Sequence, residues 1–169
     1  RDEVMAMLPD NVSHGGTYAG NRVAAAAAAK TLEILRDTDA LATIHATGSK
    51  IQDGIRGLLD AKGLAYHLTG HPSMFGIMFT ERVATEYRDW ANTDHELYDA
   101  IAIGMQARGA MPEPDSREPW FMCEAHAQGD TIDRIISIFG SSLDAALEAR
   151  AHGELAADAT GAMSSHAAG

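Results

Sequence analysis

The sequence GGTYAGN at residues 15–21 runs, after one arginine, into the alanine-rich stretch VAAAAAAKTLEIL at residues 23–35. Its three glycines permit backbone angles that other residues avoid, so the first segment predicts an exposed, tightly turned loop. In the second segment, apolar residues recur on one side at helical spacing. The sequence therefore predicts a glycine-rich loop at the N-terminus of a closely packed helix.

This loop has the chemistry of a phosphate site. A phosphate needs backbone N–H groups that it can approach closely, a hydroxyl donor and, preferably, the positive end of a helix. The two adjacent glycines, Thr17 and the following helix supply all three. The alternative is a plain turn in which Asn21 caps the helix. Local chemistry leaves both interpretations open.

The rest of the chain predicts an α+β fold, with a small antiparallel sheet of about three strands and helices packed on one face. Helices are expected from apolar spacing and cap residues, and strands from short apolar runs between turn residues. The expected helices are a short one within Asp2–Pro9, one from the cap candidates Asp37–Asp39 to Lys62-Gly63, one at Asp94–Arg108, and a last one capped by Asp130. The expected strands are Ala65–Thr69, Met74–Thr80 and Trp120–Cys123, with a turn at 70–73, a polar connector at Glu81–Asn92 and a loop at Met111–Pro114.

Composition narrows the class of protein. The chain has 169 residues, about one domain, with 46% hydrophobic and 22% charged residues, as in ordinary globular proteins. Its formal net charge of -11 repels nucleic acid and anionic membranes. No apolar run approaches the roughly 18 residues of a membrane span, and the single cysteine, Cys123, rules out an intramolecular disulfide. We expect a cytoplasmic protein that contacts neither nucleic acid nor membrane.

Several short motifs together resemble a known family. The Gly-Thr and Gly-Asn pairs of residues 15–21 open a helix, and Met74–Thr80 is an apolar strand that ends in Phe-Thr. The remaining matches are Met105, Gly109, Pro114, Glu118, Phe121, Ala125-His126 and Asp130. Over about residues 2–148 the chain resembles the C-terminal part of the class III pyridoxal-phosphate aminotransferases, most of all the glutamate-1-semialdehyde 2,1-aminomutase branch. Cys123-Glu124 and the Ala-Gly-His tail depart from that pattern.

The resemblance implies the C-terminal domain of a fold type I enzyme, preceded by an interface loop and helix. Residues 1–36 would end the large domain, 37–150 form the small domain, and 151–169 a disordered tail. Gly16 and Thr17 would contact the phosphate of pyridoxal 5'-phosphate held by the partner subunit of a homodimer. Glu118 would face the active-site mouth, although a solvated rim carboxylate is an equal alternative.

The resemblance also implies a lysine that binds the cofactor. Lys30, Lys50 and Lys62 lie within or at the end of predicted helices and are better explained as surface charges. We therefore expect that lysine in a large domain upstream of Arg1 or on a separate chain.

Other candidate residues have simpler explanations. His67 and His71 have a metal-like spacing, but the neighbouring Gly70 and Pro72 favour surface or turn histidines and no metal site. Cys123 is expected to pack in its strand, and His126 to be structural.

Two function hypotheses follow. The first is a part of an aminotransferase or aminomutase that moves an amino group on a small amino acid or semialdehyde. The second is a non-catalytic small domain that acts as a dimerisation or regulatory module.

Overall fold

Helices account for more than half of the described residues, which also form a three-stranded sheet. The computed structural model describes residues 2–8 and 15–155. The helices are α1 (Asp2–Met5), α2 (Arg22–Asp37), α3 (Ala40–Ala61), α4 (Tyr87–Trp90), α5 (His95–Ala107) and α6 (Thr131–Ala151), with a 3-10 helix at Glu124–Ala127. The strands are β1 (His67–His71), β2 (Met74–Met78) and β3 (Trp120–Phe121). The predicted α+β fold with about three antiparallel strands is confirmed.

The chain divides into two compact units after Ala40. The first contains α1 and α2. No residue of α2 is buried, so the close packing predicted for this helix is not found among the described residues. The second contains α3 and all later elements. The expected boundary between residues 36 and 37 and the expected disorder of residues 151–169 stay predictions; Ala151 ends α6, and residues 156–169 lie outside the described part of the chain.

Capping residues determine where α2 and α3 begin and where α3 ends. The Asn21 side chain accepts hydrogen bonds from the backbone N–H groups of Val23 and Ala24, both at 3.0 Å. Thr38 Oγ1 accepts from the N–H of Ala40, where α3 begins. At the other end of α3, Gly63 has a φ of +65°, and this left-handed residue stops the helix as predicted.

The sheet has the order β1-β2-β3, and both pairs of strands are antiparallel. His67 pairs with Met78, and His71 with Met74, so β1 begins and ends two residues later than predicted. The predicted turn at 70–73 is correspondingly reduced to Pro72 and Ser73. The strand continues through Gly70, whose φ is +84°, because glycine tolerates this angle within a ladder.

The third strand is shorter than predicted. It comprises Trp120 and Phe121, and Trp120 pairs with Phe75. Met122 still donates its N–H to Ser73 O at 2.9 Å, but the N–H of Cys123 donates to the side chain of His126. That hydrogen bond turns the chain into the 3-10 helix and ends the strand.

A short helix, α4, interrupts the predicted connector at Glu81–Asn92. Asp89 Oδ2 accepts from the N–H groups of Thr85 and Glu86 at 2.8 and 3.1 Å, which fixes the start of this helix. Four residues are too few to give a helical apolar period, so the sequence pattern could not reveal it.

Helices α5 and α6 form the principal helix pair of the second unit. Asp94 caps α5 by accepting from Leu97 N, and it also binds Arg150 at the end of α6 at 2.8 Å. Asp130 is the N-cap residue of α6, as predicted, although its side chain makes no capping hydrogen bond. The apolar core of the second unit is drawn from α3, β2, α5, β3 and α6: its fully buried large residues include Ile51, Ile55, Leu59, Phe75, Ile77, Leu97, Ile101, Met105, Phe139 and Leu143.

Within residues 2–8 and 15–155, none of the helices combines the length and apolar character that crossing a membrane requires.

Candidate functional site

The loop before α2 is fully exposed. Residues 15–21 are all solvent-exposed, and Thr17 to Gly20 form turns closed by Ala19 N to Gly16 O and Asn21 N to Tyr18 O, both at 3.0 Å. Gly16 and Gly20 have φ values of +149° and +75°, a region that favours glycine. A side chain at either position would meet open space but would strain the backbone. The glycines are therefore required by the turn, as the sequence predicts.

Hydrogen-bond donors in this loop are available to an anion. Within the described residues, the N–H groups of Gly16, Thr17 and Tyr18 and the hydroxyl of Thr17 make no hydrogen bond. Asn21 already satisfies two donors of the first turn of α2, so an anion would use the donors that precede Asn21. Asn21 therefore caps α2, as the plain-turn interpretation expects, but this cap does not use the donors of the loop. The loop fits a phosphate group.

Glu118 lies in a turn of the second unit. Its N–H donates to Asp115 O at 3.0 Å, and its exposed side chain has no partner among the described residues. Pro114 and Pro119, on either side of this turn, line a cleft of about 630 Å³ whose wall includes Trp120 and Ile135. The carboxylate is therefore free to contact a ligand. Gly16 and Thr17 belong to the first unit and Glu118 to the second.

An aromatic cluster holds the 115–118 turn. Trp90 Nε1 donates to Ser116 Oγ at 2.8 Å, and the rings of Trp90 and His95 lie 3.8 Å apart between centroids. The Arg117 guanidinium lies over the Trp90 ring, 4.8 Å from its centroid, and pairs with Asp115. Sequence reasoning missed this cluster because its members are distant in sequence, with 26 residues between the positions of Trp90 and Ser116.

Charge and burial shift the pKa values of three groups in and near this cluster. The hydrogen bond from Arg117 lowers the pKa of the Asp115 carboxyl. Burial lowers the pKa of His95, which favours its neutral form, whereas burial raises the pKa of Asp99.

A second contact, through Tyr98, anchors the segment that leads into the 115–118 turn. Tyr98 donates to Glu113 O at 2.6 Å and accepts from Trp120 Nε1 at 2.8 Å. Burial raises the pKa of Tyr98 to about 12, so it stays protonated and can donate. Loop and sheet are thereby tied to α5.

Cys123 does not pack in the strand as predicted. It is exposed, and its Sγ lies 3.5 Å from His126 Nδ1, which also accepts the Cys123 N–H at 3.0 Å. His126 thus organises the 3-10 turn, in agreement with its expected structural role. The three-residue spacing of Cys123 and His126 was the available signal for this contact.

The three lysines are exposed, and the two histidines with a metal-like spacing lie on β1. Lys30 pairs with Glu33 at 3.2 Å, Lys62 pairs with Asp144 at 2.5 Å, and Lys50 is exposed on α3, as expected for surface charges. His67 and His71 stand at the two ends of β1. Among the described residues, no group of three or more histidine, cysteine or acidic side chains could hold a metal ion.

Comparisons with known proteins agree on one family. Residues 1–138 match the family described as aminotransferase class-III. The glutamate-1-semialdehyde 2,1-aminomutase of Methanothermobacter thermautotrophicus is 34% identical over 128 residues, which cover 75% of this chain and 30% of that protein. The same enzyme from a strain of Thermus thermophilus is 32% identical over 120 residues, covering 70% and 28%. The chain therefore spans about 30% of the length of these curated relatives.

Solved structures share the fold. The FumI protein of Sphingopyxis sp. MTA144, in its PLP internal aldimine form, aligns with a TM-score of 0.65 and 24% identity, over 83% of this chain and 31% of that one. An omega-transaminase from Sphaerobacter thermophilus aligns with a TM-score of 0.63 and 22% identity, over 87% and 34%.

Proposed function

The chain belongs to the class III aminotransferase family, and from that premise we propose that it is the C-terminal part of a pyridoxal-phosphate-dependent aminotransferase or aminomutase. Its substrate would be a small amino acid or semialdehyde whose amino group is transferred or shifted. Because the chain spans about 30% of its relatives, the remaining catalytic groups would come from a large domain upstream of Arg1 or on a separate chain.

The loop at residues 15–21 is the observation that carries this proposal. It combines two glycines at positive φ, unused backbone donors and the exposed Thr17 hydroxyl at the start of a helix of 16 residues. Such a loop matches the phosphate group of the cofactor that the structural relative FumI holds.

The loop would bind the phosphate through three donors. Gly16 and Thr17 would donate backbone N–H groups, and the Thr17 hydroxyl would add a third hydrogen bond. The aligned peptides of α2 place partial positive charge at its N-terminus, which stabilises a dianion. Because Asn21 caps the helix, the phosphate would be held by the loop and not by the first helical N–H groups.

Bound pyridoxal phosphate would supply an electron sink for the bond changes at the amino-bearing carbon. This chain would orient that group through its phosphate. The exposed positions of Lys30, Lys50 and Lys62, two of them paired with carboxylates, do not favour any of them as the cofactor's lysine. We assign that lysine to the large domain.

Helix α2 would lie in the assembly interface. No residue of α2 is buried, and Val23 and Ile34, which are three helical turns apart and therefore lie on one face, are 78% and 45% exposed. This exposed face supports a contact with the large domain or with a second subunit of a homodimer. The Gly16-Thr17 turn of one subunit would then reach the cofactor of its partner.

Glu118 would line the mouth of the active site. Its unpartnered, exposed carboxylate supports a contact with the substrate amino group, and Pro114 and Pro119, on either side of its turn, line the 630 Å³ cleft. We also propose that the enzyme is cytoplasmic, since its composition suits a reducing compartment.

Borohydride trapping tests the proposal. The protein is purified from its own cells through an affinity tag on this chain, incubated with pyridoxal phosphate, reduced and digested for peptide mapping. We expect a phosphopyridoxyl-lysine in a peptide outside residues 1–169. Labelling of Lys30, Lys50 or Lys62 with loss of activity would contradict the assignment of the lysine, and absence of any label would contradict the enzyme class.

A further inference from the structure

Ser116 is a buried residue in the middle of an exposed turn. It is 5% exposed, whereas its neighbours Arg117 and Glu118 are exposed. A buried hydroxyl needs hydrogen-bond partners. Ser116 finds them on α4 and α5, and it thereby joins this turn to the helical part of the second unit.

The hydrogen bonds of this joint have a defined direction. Trp90 Nε1 donates to Ser116 Oγ at 2.8 Å. The Thr93 hydroxyl donates its proton to Trp90 O at 2.9 Å, so His95 Nδ1, 3.0 Å from Thr93 Oγ1, carries a proton and donates to it. The same Nδ1 lies 3.4 Å from Ser116 Oγ. Ser116 Oγ is therefore an acceptor held by the Trp90 N–H, with the His95 ring beside it and its Nδ1 proton donated to Thr93.

The outer side of the turn is also fixed. Arg117 pairs with Asp115 and donates to Tyr87 Oη at 3.3 Å, while its guanidinium covers the Trp90 ring. In contrast, the Glu118 side chain has no partner among the described residues. The position of its carboxylate thus depends on the backbone of the turn.

We propose that Ser116, held by the Trp90 indole N–H, is a positioning residue that fixes the turn on which Glu118 reaches the active-site mouth. The inference rests on the proposed function, because it takes Glu118 as a substrate contact. A displacement of about 1 Å in such a group can cost on the order of a hundredfold in rate. Loss of the Ser116 hydroxyl should therefore act on catalysis through Glu118.

A double-mutant cycle on the holoenzyme tests this inference. The kcat/KM of wild type, Ser116→Ala, Glu118→Gln and the double variant is measured with a panel of L-amino acids and 2-oxoglutarate, and with glutamate 1-semialdehyde. Ser116→Ala is expected to lower kcat/KM roughly tenfold in the wild-type background and less than twofold when Glu118 is already glutamine. A general structural defect would lower it equally in both backgrounds.

Hydrogen exchange of the Trp90 indole N–H gives a readout without turnover. Ser116→Ala removes its acceptor and should speed that exchange roughly tenfold. The matched control is Ser142→Ala: Ser142 is 1% exposed and donates to Ile138 O within α6, away from the turn. It should leave the exchange of Trp90 unchanged.

The outcomes separate the two proposals. No amino-group transfer by wild type on any substrate would contradict the proposed function. An active enzyme in which Glu118→Gln has no effect, or in which the two substitutions are additive, would overturn the positioning role of Ser116. Unchanged indole exchange in Ser116→Ala would overturn it as well.

Discussion

Thr17→Ala is expected to weaken pyridoxal phosphate binding without loosening the fold. The Thr17 side chain is exposed and makes no hydrogen bond to another described residue. Its removal should therefore change the free energy of unfolding by less than about 0.5 kcal/mol. In the proposed complex, the same hydroxyl donates to a charged phosphate oxygen.

The size of the effect follows from that one hydrogen bond. A hydrogen bond to a charged group contributes roughly 1.5–3 kcal/mol, and each 1.4 kcal/mol is about a factor of ten in affinity. The dissociation constant of the cofactor should thus rise roughly ten- to a hundredfold. Because the proposed function places the loop at a dimer interface, added cofactor should also stabilise the variant dimer less than the wild type.

Cofactor titration of the holoenzyme, at matched protein concentration, measures this change. Thr17→Ser keeps the hydroxyl and should retain affinity within a few fold. The matched control is Thr31→Ala on α2, because the Thr31 hydroxyl already donates to Ala27 O at 2.9 Å. Equal affinities of wild type and Thr17→Ala would refute the assignment of Thr17 to the phosphate.

Three further predictions concern stability, pH and labelling. A Cβ at Gly48 would lie 1.9 Å from Pro72 O, so Gly48→Ala should lower the free energy of unfolding by about 1–3 kcal/mol. A Cβ at Gly57 would have nothing within 4 Å, so Gly57→Ala should raise it by about 0.5–1 kcal/mol. Equal midpoints of urea unfolding for the two variants would contradict this. Burial lowers the pKa of His95, so the unfolded chain binds more protons than the folded chain below about pH 6.5. The free energy of unfolding should therefore fall on acidification more steeply in wild type than in His95→Gln. Parallel pH profiles of the two proteins would contradict this. The 169-residue chain alone should show no turnover with pyridoxal phosphate, and borohydride treatment should leave no label on its three lysines. Turnover that is lost when borohydride labels one of these lysines would reverse the assignment of the lysine.

Local signals predicted much of the fold. The apolar period of α2 and α3, the cap at Asn21 and the stop at Gly63 are properties of neighbouring residues, so they could be read directly from the sequence. The end of β3 could not be predicted, because it depends on whether the N–H of Cys123 donates to a neighbouring strand or to a side chain.

The candidate site likewise has one part that the sequence could predict and another that it could not. The glycine-rich loop is a local motif, and its exposure and positive φ angles follow from composition. The burial of Ser116 depends on Trp90, which is 26 residues away, and no periodic pattern connects them. The exposure of Cys123 was likewise missed because a short apolar run predicts a strand and not the turn that follows it.

The central claim is that the loop at residues 15–21 holds the phosphate of pyridoxal phosphate. A crystal structure of the holoenzyme measures it directly, as the distance between Thr17 Oγ1 and the nearest phosphate oxygen. We expect a hydrogen bond of roughly 2.5–3.0 Å, with the N–H groups of Gly16 and Thr17 directed to the same phosphate. A phosphate bound elsewhere, with Thr17 facing only solvent, would contradict the claim.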